Sequence, residues 1–251
     1  MVHIVGAGCG AADLITLRGK RLIEEADVIV YAGSLVNPDL LGYAKPGCGL
    51  YDSAKMTLEE VIAVIAEAEA ENKTTVRLHS GDPSLYGAIG EQMREFDRLG
   101  IPYDITPGIS AFAGAAAALK TEYTLPGVSQ SVVITRAAGR TPVPDGESLR
   151  SFAAHRATVV LFLSAGLLGS VTEELTAGGI PAETPAAIVY KASWPDEKIC
   201  RCTLGTLEET ARENGIAKTA LIVVGEVLGE SFERSKLYDP SFATEFREAR
   251  S

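Results

Sequence analysis

Three times in its first half the chain runs an apolar strand into a short turn of small residues and then into a helix. The turns are Gly6-Ala7-Gly8-Cys9-Gly10, Gly81-Asp82-Pro83 and Pro107-Gly108-Ile109-Ser110-Ala111. Strands alternating with helices specify an α/β sheet, and turns that each follow a strand fall at one edge of it. Open α/β sheets bind ligands at that edge, so the pattern constrains fold and site together. Glycine there lets the backbone turn tightly and approach a ligand. Asp82 reads as a helix N-cap and Pro83 as a first-turn residue. Taken singly, each turn is equally readable as an ordinary loop; three at one edge carry more weight.

A further loop belongs to the same edge. The strand Val28–Val30 runs into Tyr31-Ala32-Gly33-Ser34-Leu35-Val36-Asn37-Pro38, which offers a phenol, a hydroxyl and bare backbone. Tyr31, Ser34 and His79, which precedes the second glycine turn, are the candidate catalytic side chains. His79 is also readable as a core histidine. Tyr190 and Lys191 follow a later strand and are placed either at the cleft or on the surface.

Periodicity supplies the remaining elements. In the first half, strands are expected at His3–Val5, Thr74–Leu78 and Tyr103–Ile105. Helices are expected at Thr16–Ala26, Thr57–Asn72, Leu85–Leu99 and Ser110–Leu119. Leu58, Val61, Ile62 and Ile65 repeat at helical spacing, and Thr57 with Glu60 makes a capping box. Pro126-Gly127 lies near a boundary, which predicts domains over 1–119 and 120–251. The second has strands at Val128–Thr135, Thr158–Leu163, Ala186–Tyr190, Ile199–Thr203 and Ala220–Val224, with helices at Leu167–Thr176 and Leu207–Asn214. Its strand lengths predict a mixed sheet. The fold class is thus α/β, with two α/β domains and the active-site cleft between them.

Composition narrows the function classes. A net charge of −10 argues against nucleic acid and against an anionic membrane surface. No apolar run is long enough to span a bilayer. The opening Val2-His3-Ile4-Val5 is a strand without a charged segment before it, so no signal peptide is expected. Cys9, Cys48, Cys200 and Cys202 form no spaced framework and read as reduced thiols of a cytoplasmic protein. His3, His79 and His155 lie far apart, and no Cys/His set has metal-ligand spacing, so no metal site is expected. A dinucleotide site is the rival reading of the first turn. Its spacing is G-x-G-x-G, however, and the second strand ends without an acidic residue for a ribose hydroxyl. Hydrolysis is disfavoured because no G-x-S-x-G and no Ser/His/Asp order is present.

The first glycine loop, Ser80-Gly81-Asp82-Pro83, Pro107-Gly108-Ile109-Ser110 and Thr219-Ala220-Leu221-Ile222-Val223-Val224-Gly225 together resemble the tetrapyrrole methyltransferases, from Val2 to about Leu228. The loop Tyr31–Leu35 narrows the match to one branch, acting on a ring carbon of a corrin precursor. The resemblance implies the tetrapyrrole methylase fold, a homodimer and S-adenosyl-L-methionine as cofactor. It implies cofactor contacts at Cys9, Gly81, Asp82, Leu85, Ser110, Ala111, Leu163, Ala192 and Ala220. Cys9 stands where relatives commonly have proline, and Leu163 where methionine is common. The implied partner is a small tetrapyrrole rich in carboxylates, for which arginine is suited. Arg77, Arg136, Arg140 and Lys120 are candidate cleft cations, each also readable as solvated surface charge. The alternatives are methylation at another ring position or of a modified protein histidine, a nucleotide-dependent oxidoreductase, and a non-catalytic binding module.

Overall fold

A computed structural model of the protein describes residues 1–230 and 232–250; the side chain of Ser34 lies outside the described residues. Contacts divide the chain into two units, Met1–Ala115 with Lys191–Glu197, and Ala116–Tyr190 with Lys198–Ser251.

The first unit is built on strands β1 (Val2–Gly6), β2 (Val28–Tyr31), β3 (Gly49–Asp52), β4 (Thr75–His79) and β5 (Tyr103–Thr106), in the order β3-β2-β4-β1-β5. Every pairing is parallel, so all the strands end at one edge. The inner strands β2, β4 and β1 are almost wholly buried because both faces of the sheet are covered. On one face Val2, Ile4, Val28 and Val30 pack with residues of α2 (Leu58–Ala70) and α3 (Ile89–Leu99), including Val61, Ile65 and Phe96. On the other, Val5, Ile29, Val76 and Leu78 pack with Leu22 and Ile23 of α1 (Leu17–Glu25) and with Leu40. The capping box of α2 is present: Thr57 Oγ1 accepts from Glu60 N–H, and Glu60 Oε2 accepts from Thr57 N–H at 2.7 Å. β3 was not expected, since its residues are only partly buried and show no apolar run.

One expectation at this edge is corrected. The helix expected over Leu85–Leu99 starts at Ile89. Residues 82–88 are a turn instead, with Tyr86 and Ala88 in the left-handed region at φ 56° and 50°. Asp82 therefore caps no helix, and Pro83 is not in one. The alanine-rich α4 (Ala111–Leu119) follows the third turn as expected.

The second unit has β6 (Val132–Arg136), β7 (Thr158–Phe162), β8 (Pro185–Tyr190), β9 (Lys198–Thr203) and β10 (Ala220–Val224), in the order β6-β7-β10-β8-β9. β6 and β7 are parallel and the other pairs antiparallel, giving the mixed sheet. One core joins Val159, Leu161, Ile188 and Ile222 of this sheet with Leu149 of α5 (Leu149–Ala153), Val171 and Leu175 of α6 (Leu168–Ala177) and Leu207 of α7 (Leu207–Glu213). β6 starts four residues later than expected because Val128 and Ser129 N–H both donate to Leu125 O, closing a turn. The short α5, N-capped by Ser148, has too few residues to show a helical period. The four cysteines are free thiols, and no helix of the described residues is long and apolar enough to cross a membrane.

Candidate active site

The three glycine turns of the first unit meet as backbone. Gly8 N–H donates to Gly81 O at 3.2 Å, and Gly81 N–H returns to Gly8 O at 2.9 Å. A methyl group on Gly108 would stand 2.2 Å from Gly81 O and 2.8 Å from the Gly6 Cα. Only glycine fits there, because the space belongs to neighbouring main chain that cannot move aside. Asp82 fastens the second turn to the third. Its Oδ1 accepts from Ser84 N–H and Ser84 Oγ, and its Oδ2 accepts from Gly108 N–H at 2.9 Å. Burial works to raise the Asp82 pKa. Hydrogen bonds from the Ser84 hydroxyl and from the Gly108 and Ser84 amides outweigh it, and the carboxyl sits below its ordinary value.

The segment Ala192–Trp194 closes on the first turn. A Cβ on Gly10 would lie 2.4 Å from both Ala192 O and the Trp194 ring. Ser193 Oγ accepts from Ala11 N–H at 3.0 Å and lies 3.6 Å from Cys9 Sγ. Cys9 is buried and faces Gly114 of α4, where an added Cβ would meet its sulfur at 2.8 Å. Lys191 pairs with Asp196 at 2.6 Å and lies over the Trp194 ring. Trp194, Pro195 and Asp196 line a cleft of about 380 Å³ with Asn37, Pro38 and Asp39.

The Tyr31–Asn37 loop is held from several sides. Ala32 N–H donates to Leu78 O, and Tyr31 O accepts from Ser53 Oγ at 2.9 Å. Asn37 is buried; its Nδ2 donates to Gly10 O at 3.0 Å, while its Oδ1 caps Asp39 N–H. The Asn-Pro step thus ties this loop to the first glycine turn. Tyr31 is half-buried. His79 ends β4 beside Gly6 and is only 4% exposed, with no hydrogen-bond partner for its Nε2. Burial, and then the positive charge of Arg77, push its pKa down to about 3, so the ring is neutral at pH 7.

Of the expected cofactor contacts, Cys9, Gly81, Asp82, Leu85, Ser110, Ala111 and Ala192 belong to the first unit, and Leu163 and Ala220 to the second. Ser110 and Ala192 are buried and Leu85 is half-buried. Leu163 follows β7, is 69% exposed and has φ 52°. Ile222 of β10 pairs with Leu161 of β7; Ala220 begins β10, and Leu163 comes directly after the end of β7. Tyr190 is the partner of Ala220 on the other side.

The expected cations fare differently. Arg77 is buried and donates to Val30 O and Gln92 Oε1, so it is not a surface charge. Arg136 donates to Ala137 O, Thr141 O and Pro142 O of its own loop. Arg140 and Lys120 are exposed. Ser193 and Gln92 escaped the sequence reading, and Asn37 is named there in its loop without a role of its own. Only Asn37 left a local signal, its place before a proline. Among the described residues no group of three or more His, Cys, Asp or Glu side chains is placed to hold a metal ion.

The arrangement offers a floor of glycine main chain and a neutral imidazole, and β2 ends in Tyr31 rather than an acidic residue. A family model described as tetrapyrrole (corrin/porphyrin) methylases matches residues 1–208. The chain is 53% identical over 249 residues to the cobalt-precorrin-4 C(11)-methyltransferase of Methanocaldococcus jannaschii, covering 99% of this chain and 96% of that one. A solved cobalt precorrin-4 methyltransferase superposes with a TM-score of 0.89 at 45% identity, over 91% of this chain and 96% of that one. The uroporphyrin-III C-methyl transferase of Thermus thermophilus, solved with S-adenyl homocysteine, has a TM-score of 0.76 at 29% identity, over 91% and 93%. By sequence pattern, strand order and these likenesses, the chain belongs to the tetrapyrrole methylases.

Proposed function

We propose that the protein transfers a methyl group from S-adenosyl-L-methionine to carbon 11 of precorrin-4, free or cobalt-bearing, in the assembly of the corrin ring of cobalamin. The observation that carries this reading is the 53% identity to a C(11)-methyltransferase across essentially the whole of both chains. An oxidoreductase reading has no comparable support, because β2 ends in Tyr31 rather than an acidic residue.

The cofactor would supply a methyl group activated on a sulfonium. The residues present fit such a group: Gly8, Gly81 and Gly108 present main chain without side chains, and Ser110, Ala111 and Ala192 are small. Cys9, Gly81, Asp82, Leu85, Ser110, Ala111 and Ala192 of the first unit, with Leu163 and Ala220 of the second, are the contacts we assign. With the methyl group supplied by the cofactor and the nucleophile by a ring carbon of the substrate, no protein nucleophile would be needed. The task of the protein is alignment, which supplies on the order of 7–11 kcal/mol in well-oriented reactions. Tyr31 and Ser34 are assigned to holding the substrate. His79, neutral and with its Nε2 unpartnered, is assigned first to positioning and second to proton transfer. The protein is inferred to be a homodimer and to be cytoplasmic, and its four free thiols are in keeping with the second of these.

Calorimetric titration with S-adenosylhomocysteine beside NADH is the first test; micromolar binding of the former alone is expected. Incubation with methyl-labelled cofactor and either form of precorrin-4 should then give a product whose label resonates at carbon 11. Label at another ring carbon, or binding of NADH in place of S-adenosylhomocysteine, would overturn the assignment.

A further inference from the structure

Arg77 is 6% exposed, yet no carboxylate of the described residues pairs with its guanidinium. Burying an unpaired cation is costly, and an apolar residue at this place in β4 would avoid the cost. What the arginine does instead is bridge. Its Nη1 donates to Val30 O at 3.1 Å, at the residue just before Tyr31, and its Nε donates to Gln92 Oε1 at 2.9 Å. Gln92, itself 5% exposed, passes the link on: its Nε2 donates to Ala88 O at 3.1 Å. Ala88 stands at the start of α3 in the left-handed region, with no side-chain cap. One buried relay therefore runs from the end of β2, through β4, to the end of the Gly81–Ala88 turn. It joins the two loops that carry Tyr31 and Asp82, and its central residue is two positions from His79.

We propose that Arg77 and Gln92 are positioning residues for the methyl acceptor. They would set the Tyr31–Asn37 loop against the Gly81–Ala88 turn and so fix how the tetrapyrrole is held, without touching it. The inference rests on the reading that the Tyr31–Asn37 loop binds the substrate. With its Nε and Nη1 bound to the protein and only 6% of the residue exposed, Arg77 is assigned to positioning and not to a substrate carboxylate.

The double variant Arg77→Met with Gln92→Leu tests it, because removing both partners leaves no orphaned buried charge and permits folding. Three quantities are read: amide exchange over residues 31–37, affinity for S-adenosylhomocysteine, and KM and kcat for precorrin-4. We expect faster exchange in that loop, unchanged cofactor-product affinity, and KM raised about tenfold or more, the order that small misplacements of reacting groups produce. Gln92→Glu, which keeps the acceptor for Arg77 but loses the donor to Ala88 O, should change exchange and KM less than the double variant does. A double variant that folds and shows wild-type exchange in the loop overturns the proposal whatever its activity. So does faster exchange with unchanged KM and kcat. If the wild-type protein does not methylate precorrin-4, the substrate reading fails. The relay then stands or falls on the loop exchange alone.

Discussion

The two sheets place unusual backbone in different surroundings. At the edge of the first, the left-handed positions where two turns pair, Gly8 and Gly81, are glycines, and Gly6 and Gly108 are packed against neighbouring main chain; the left-handed Tyr86 and Ala88 lie farther along the second turn, where Tyr86 is exposed. In the second, the left-handed positions flanking the strands are Leu163 and Thr219, and Leu163 offers its side chain to solvent. Glycine is required where main chain meets main chain. A strained side chain is tolerated only where there is room for it, and such residues concentrate at functional sites. The paired turns of the first edge thus form a floor of main chain, and the strained side chains of Tyr86 and Leu163 stand where solvent leaves room for them.

The sharpest way to break this contrast is Gly108→Ala. Its methyl group would overlap Gly81 O, and relief requires two turns to separate. The expected loss is about 3 kcal/mol or more in urea unfolding, beyond ordinary overpacking. A loss under about 1 kcal/mol would mean that the floor is pliable. Asp82→Ala should follow at about 2–3 kcal/mol, since it strips charged acceptors from the amides of Ser84 and Gly108. Asp82→Asn should lie between this variant and the wild type.

A smaller effect depends on pH. Unfolding returns His79 from a pKa of about 3 to its ordinary value of 6.5. Between those values the unfolded chain binds more protons, so this residue makes stability rise with pH across that window. At pH 5 it should cost about 2 kcal/mol relative to pH 7. His79→Gln should flatten the slope; identical slopes in wild type and variant would show that the imidazole is not buried as a neutral group. The smallest expected change is Leu163→Gly. Relief of the left-handed strain and the added freedom of the unfolded chain oppose each other at about 1 kcal/mol each. Stability should therefore stay within about 1 kcal/mol. Affinity for S-adenosylhomocysteine should fall if Leu163 is a cofactor contact, and an unchanged affinity would remove it from the site.

Much of this was legible because it is local. The capping box at Thr57 and Glu60 lies within one helical turn, and the apolar run of β2 and the Ile4-Val5 pair of β1 need no partner to be recognised. The turn after β4 was misread for the same reason. Gly81-Asp82-Pro83 has the local form of a helix start, but the Asp82 carboxylate is claimed by an amide 26 residues later. Arg77 looked like a cleft cation because a lone arginine in a sequence carries no sign of burial.

By itself, then, the sequence determined the alternation of strand and helix, the small-residue turns and the family resemblance, all set by spacing within a few residues. Only the tertiary structure decided which turns touch, that Lys191–Glu197 packs with the first unit, and that Arg77 and Gln92 join two loops through the core. Those outcomes depend on pairings between residues far apart in the chain. Their energies come from burial and from hydrogen bonds that exist only once the sheet has formed.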